Sequence, residues 1–134
     1  MVILTSNLEN TVCVRILLVD NEVDNTSVLS MCLEDEGYEV DTFNDPTLTL
    51  SSFRPHYYSL VLLDINMPQM NGYDLYNEIR KLDNNVKVCF MAASELYNTL
   101  KTPPDEILCH TKFFISKPID LDELVKEIKK VLDW

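Results

Sequence analysis

The sequence predicts an α/β fold: one parallel sheet, wound with helices on both faces. Three observations carry that prediction. Apolar runs recur at regular intervals along the 134 residues. The segments between them repeat their apolar residues with helical period. The first, third and fourth runs are nearly continuous in Val, Ile, Leu, Phe and Met, the pattern of strands covered on both faces. Strict alternation of strand and helix then implies right-handed crossovers.

The strands are expected at Arg15–Val19, Tyr38–Thr42, Tyr58–Leu63, Val86–Met91 and Lys112–Ile115. The second alternates (Tyr38, Val40, Thr42), which suits a strand nearer an edge. In residues 24–36, Val28, Leu29, Cys32 and Leu33 share one side of a helix, and Gly37 supplies its left-handed stop. Asp45-Pro46 places an N-cap and an N1 proline before Leu48, Leu50 and Phe53. After Asn71-Gly72, Leu75, Tyr76, Ile79 and Leu82 repeat with helical spacing. Pro103-Pro104 must end any helix begun at Ser94, so the fourth helix is expected to be short. The last helix is capped by Asp120 with Glu123 three residues on, and carries the stripe Leu121, Leu124, Val125, Ile128, Val131, Leu132. Five strands and five helices in this length match the flavodoxin-like doubly wound fold, with strand order 2-1-3-4-5. Residues 1–14 are expected to form an N-terminal arm and 15–134 the single domain.

Composition narrows the function. With 11 Lys+Arg against 22 Asp+Glu the formal charge is −11, and residues 1–53 hold a single base, Arg15. Such a surface repels polyanions, which argues against direct nucleic-acid binding. No apolar run approaches the roughly 18–20 residues of a membrane span, and the first residues lack signal-peptide features. The four cysteines show no C-x-x-C and no zinc-ligand spacing, and Cys32 and Cys89 fall on core positions. They read as reduced thiols, and the chain as cytoplasmic.

In this fold function gathers at the C-terminal ends of the strands. Strand one runs into Asp20-Asn21-Glu22, strand three into Asp64-Ile65-Asn66, strand four into Ala92-Ala93-Ser94 and strand five into Ser116-Lys117-Pro118. Two carboxylates from neighbouring strands repel unless a cation or proton lies between them. A hard ion such as Mg2+ suits oxygen ligands with retained waters, and a converging lysine suits a phosphoryl oxygen. Carboxylate nucleophile, Mg2+ and lysine together make an aspartyl-phosphate site.

The stretches VRILLVDNE, LVLLDINMPQMNG and FFISKP resemble the three signature stretches of the receiver domain of two-component response regulators, over about residues 15–133. The resemblance implies that Asp64 accepts a phosphoryl group from a phosphohistidine on a sensor histidine kinase or phosphotransfer protein. It also implies that Asp20, Asp64 and the Asn66 backbone carbonyl hold Mg2+. Lys117 then pairs with the phosphoryl group, the Ala93 backbone N–H reaches it, and the Lys117–Pro118 bond is cis. In this reading Met67-Pro68 and Gly72 shape the loop and do no chemistry. Residues 95–133 form the output surface for a separate protein, and a homodimer is a further association the family allows. Such a domain at most phosphorylates and dephosphorylates itself; it turns over no external metabolite.

Two departures from the family stand out. In place of the second acid after strand one stands Asn21, whose amide oxygen is a weak Mg2+ ligand that brings no charge, so the ion is expected to bind more weakly; at ~4 Å and an effective dielectric of ~20, one lost charge is on the order of 4 kcal/mol of attraction. At the end of strand four, Ala92 replaces the usual Ser or Thr that bonds the phosphoryl group, and Phe114 holds the aromatic position that moves with that hydroxyl. These departures support the alternative of a pseudo-receiver, a docking module indifferent to phosphorylation. A flavodoxin lacks support, because the loop after strand one is acidic and not a phosphate cradle. A D-x-D-x-T phosphatase motif is absent.

Overall fold

The computed structural model describes residues 13–93 and 111–133. The N-terminal arm up to residue 12, the stretch from Ser94 where the fourth helix is expected, Cys109, His110 and Trp134 lie outside the described residues. The elements are β1 (Arg15–Val19), α1 (Val23–Asp35), β2 (Glu39–Phe43), α2 (Pro46–Ser52), β3 (Leu60–Asp64), α3 (Gly72–Leu82), β4 (Lys87–Ala93), β5 (Thr111–Lys117) and α4 (Leu121–Asp133). All strand pairs are parallel, in the order β2-β1-β3-β4-β5.

The sheet buries both faces, and the two-residue period of a strand sorts its side chains between them. Leu17, Val19, Val61, Leu63, Val88 and Phe90 point to one side, where Phe53, Leu75, Tyr76 and Ile79 from α2, α3 and their flanks cover them. Ile16, Leu18, Leu60, Leu62, Cys89 and Met91 point to the other, under Leu29 and Leu33 of α1 and Leu124, Ile128 and Val131 of α4. Continuous apolar runs were the necessary sequence for this arrangement. The edge strand β2 lies half in water, with Glu39, Asp41 and Thr42 exposed.

The caps at Asp45 and Asp120 and the stop at Gly37 fall where the sequence places them, and Asn71 adds one that the sequence reading does not assign. Asp45 accepts from the backbone N–H groups of Thr47 and Leu48. Asn71 accepts from Asp74 N–H, and Asp120 from those of Asp122 and Glu123. Gly37, at φ +95°, ends α1, with its N–H on the Glu34 carbonyl and that of Tyr38 on the Leu33 carbonyl.

Four apolar residues expected inside lie outside: Val28 (51% exposed), Leu48 (54%), Leu82 (46%) and Leu121 (39%). In their place α1 buries Thr26, whose hydroxyl bonds the Val23 carbonyl, and α2 buries Thr49, whose hydroxyl bonds the Asp45 carbonyl. After α3 the buried residue is Asp83, which accepts from His56 and Asn85 N–H groups. A buried polar residue that is satisfied locally takes a core place without an apolar signature. Cys32 is only half-buried, whereas Cys89 is fully so. Strands β4 and β5 also run further than expected, pairing Ala92 with Ser116 and Ala93 with Lys117.

Gly72 has a specific reason. A Cβ there would lie 2.5 Å from the Asp64 carbonyl oxygen and 2.8 Å from Ile65 Cα, both backbone atoms held by pairing of Gly72 N–H with the Ile65 carbonyl and Ile65 N–H with that of Met91. At Gly37 an added Cβ meets nothing within 4 Å, so only its positive φ resists substitution. Gly72→Ala is therefore expected to lose about 3 kcal/mol in urea unfolding, and Gly37→Ala on the order of 1 kcal/mol. Equal losses, or the reverse order, would refute the close-packing account.

Candidate functional site

The strand order makes β1 and β3 neighbours, so Asp20, just past β1, and Asp64, the last residue of β3, meet at one rim of the sheet. Both are buried, Asp20 to 0% exposure and Asp64 to 2%. Lys117, the last residue of β5, bridges them across β4: its Nζ stands 2.8 Å from Asp20 Oδ2 and 3.3 Å from Asp64 Oδ2. Glu22 Oε1, exposed at the mouth, is 4.0 Å from the same ammonium. The Lys117–Pro118 bond is cis.

Both carboxylates take further donors from the backbone. Asp20 Oδ1 accepts from Glu22 N–H at 2.9 Å, and Asp64 Oδ1 from Asn66 N–H at 3.3 Å. Burial, followed by the Asp20 charge, pushes the Asp64 carboxyl up to about 6 against the opposing pull of Lys117. Burial works against the Lys117 charge, yet hydrogen bonding and the two carboxylate charges prevail and its pKa is raised.

Asn21 sits at the mouth, exposed to solvent. Its carboxamide faces two acceptors, so its NH2 is assigned to the inner side, donating to Asp64 Oδ2 at 3.2 Å and to the Asn66 carbonyl at 3.3 Å. Ala92 is buried in the core cluster with Phe90, Leu63 and Met67 and offers no side-chain donor. The backbone of Phe114 pairs with Phe90, and that of Ala93 with Lys117. Of residues 95–133, where the output surface is expected, the structure describes only those from residue 111 to 133.

One contributor has no signature in the sequence. Asn44, just past β2, donates from Nδ2 to the Asp20 carbonyl at 2.6 Å and to the Thr26 hydroxyl at 3.1 Å, while Asp20 N–H bonds the Phe43 carbonyl. It fixes the backbone that carries Asp20. A polar residue directly after the second strand was the only available signal, and such residues are ordinary in loops.

The donor set of two carboxylates and one backbone carbonyl is hard oxygen, which fits a small divalent cation that keeps several waters. Among the described residues no group of three or more His, Cys, Asp or Glu side chains forms a metal cage, so any ion here depends on the carbonyl and water as well. No described helix is long and apolar enough to cross a membrane.

Comparison with known proteins agrees with this picture. The family model described as the response regulator receiver domain matches residues 16–129. A response regulator receiver protein CpdR from Brucella abortus is 31% identical over 118 residues, covering 88% of this chain and 96% of the relative. A transcriptional regulatory protein CpxR homolog from Haemophilus influenzae is 35% identical over 121 residues, 88% of this chain but 50% of the relative. The chain thus spans about half the length of some relatives and nearly all of others. The solved structure of response regulator protein TrrA from Thermotoga maritima, in complex with Mg(2+)-BeF, superposes with TM-score 0.72 at 32% identity, over 88% of this chain and 98% of that one. TrrA has also been solved in complex with histidine kinase ThkA, with TM-score 0.74, 33% identity and coverage of 89% and 98%.

The lysine bridge has a measurable weight. Lys117→Met keeps much of the apolar stem and deletes the charge, leaving two buried carboxylates facing each other. In EDTA, at a pH well above the value of about 6 to which Asp64 is pushed, the variant is expected to lose on the order of 3 kcal/mol in urea unfolding. An unchanged midpoint would mean that the carboxylates do not depend on the ammonium.

Proposed function

The chain belongs to the response regulator receiver domain family, and on that premise we propose that it accepts a phosphoryl group from a phosphohistidine onto Asp64 with Mg2+, then signals to a separate protein. The observation that carries this reading is the buried pair Asp20 and Asp64 joined by Lys117 at the C-terminal rim. The solved TrrA complexes, one with Mg(2+)-BeF and one with a histidine kinase, support the cofactor and the donor class.

In this mechanism an Asp64 carboxylate oxygen attacks phosphorus, the P–O bond forms, the P–N bond breaks and the imidazole leaves with the electron pair. Burial strips water from Asp64 and strengthens every charge around it. Lys117, within reach of both carboxylates, follows the charge to the phosphoryl oxygens. The Ala93 N–H supplies a neutral donor to the same group. Asp20, Asp64 and the Asn66 carbonyl would hold Mg2+, whose positive charge would offset the negative charge that gathers when phosphate approaches carboxylate. Asn44 is a positioning residue, since it acts through the Asp20 backbone.

Ala92 weakens the conformational response to phosphorylation. With no hydroxyl at that position, arrival of the phosphoryl group has no side-chain donor to pull, and Phe114 has no partner movement to accompany. A docking module that ignores phosphorylation is the second reading, favoured by this one residue.

Incubation with a small acyl phosphate and Mg2+ is expected to give a single phosphoryl adduct by intact mass, absent with EDTA and absent in Asp64→Asn. A folded protein that acquires no adduct would leave the docking module as the better reading. Ala92→Thr is expected to enlarge the amide chemical-shift changes in β4 and β5 on phosphorylation. Equal changes in the two proteins would contradict the role given to the missing hydroxyl.

A further inference from the structure

At the position where the family carries a second acid, Asn21 does more than omit a charge. An ionised aspartate there could accept hydrogen bonds only; it would add a further carboxylate to Asp20, Asp64 and the nearby Glu22, against one ammonium. The asparagine side chain instead faces the two acceptors, and with its amide assigned NH2 inward, as acceptors with no cation between them require, it donates to Asp64 Oδ2 at 3.2 Å and to the Asn66 carbonyl at 3.3 Å. Both acceptors belong to the donor set that would hold the cation. The remaining member, Asp20, is held by Lys117 at 2.8 Å and by Glu22 N–H at 2.9 Å. Each candidate ligand therefore already has a donor from the chain itself.

We infer that the Asn21 carboxamide is a built-in substitute for the cation, so that Mg2+ enters by displacing Asn21 and not by filling an open cradle. The inference rests on the proposed phosphoacceptor reading and deepens it. Two features support displacement over permanent closure. Asn21 is exposed, so its side chain can swing into water at little steric cost, and the loop that carries it is fixed from the other side, through the Asp20 carbonyl on Asn44. The amide donors are neutral, so they hold the two oxygens less strongly than a dication does. The metal-free site is thereby satisfied in a way that an acidic residue could not achieve.

A substitute and a ligand predict opposite results when the side chain is removed. Mg2+ binding is measured by calorimetry and by shifts of the side-chain amide resonances, with the Asn21 pair identified by its loss in Asn21→Ala. If Asn21 competes with the ion, Asn21→Ala binds Mg2+ about five-fold more tightly than the wild type, the factor that corresponds to ~1 kcal/mol for the amide hydrogen bonds given up. The wild-type Asn21 amide pair also shifts on Mg2+ addition. Weaker binding in Asn21→Ala would make the amide oxygen a ligand, and equal binding would make Asn21 a bystander; either overturns the inference. Asn21→Asp separates this from the underlying reading. It is expected to bind Mg2+ more than ten-fold more tightly than the wild type and to melt lower than the wild type in EDTA. Tight binding in Asn21→Asp without the gain in Asn21→Ala would sink the substitution idea alone. No binding in any of the three proteins would remove the phosphoacceptor reading, and this inference with it.

Discussion

Two carboxylates withdrawn from water beside one another are the constraint around which this molecule is built. Neither Asp20 nor Asp64 has more than a trace of solvent contact, and only the Lys117 ammonium supplies a full opposite charge among the described residues within reach of both. The fold exists in a form that makes this arrangement possible. Adjacent β1 and β3 bring the two acids to one rim, and β5 must extend to Lys117 itself for the ammonium to arrive from beyond β4. Burying such a trio is costly unless every charge is paired and hydrogen-bonded, and the backbone N–H groups of Glu22 and Asn66 complete that pairing.

The same economy of space governs the loop after β3. Helix α3 begins so near the end of β3 that only hydrogen fits at Gly72, against the Asp64 carbonyl and Ile65. Met67 turns inward to the core shared with Phe90 and Ala92. Thus the backbone around Asp64 is clamped by packing on one side and by sheet pairing on the other. Side chains at the mouth, Asn21 and Glu22 among them, are left to face water. The site is thus rigid beneath and free above, with its supporting shell fixed by packing.

Much of this is legible in the sequence alone. Asp20, Asp64 and Lys117 each stand at the end of an apolar strand, so strand periodicity and the parallel topology suffice to bring them together. The edge position of β2 is visible in its alternation, and the caps at Asp45 and Asp120 in their residue types. The remainder is decided by tertiary packing. Thr26, Thr49 and Asp83 are buried because local backbone partners satisfy them, and hydrophobicity alone puts Val28, Leu48 and Leu82 in the core instead. Asn44 and the inward turn of the Asn21 amide depend on distances between segments far apart in sequence, and no spacing rule encodes them.

The edge strand β2 has a consequence for self-association. An uncovered edge is a template for another strand, and proteins blunt it with charge. Here Glu39 and Asp41 are exposed on that edge, on the part of the chain that holds ten acids to one base. A second copy extending the sheet through β2 would bring two such acidic borders together, where Arg15, the one base of residues 1–53, is already paired with Glu39. Sheet growth through β2 is therefore opposed at neutral pH, a restraint that applies to this border and not to β5 at the opposite edge of the sheet.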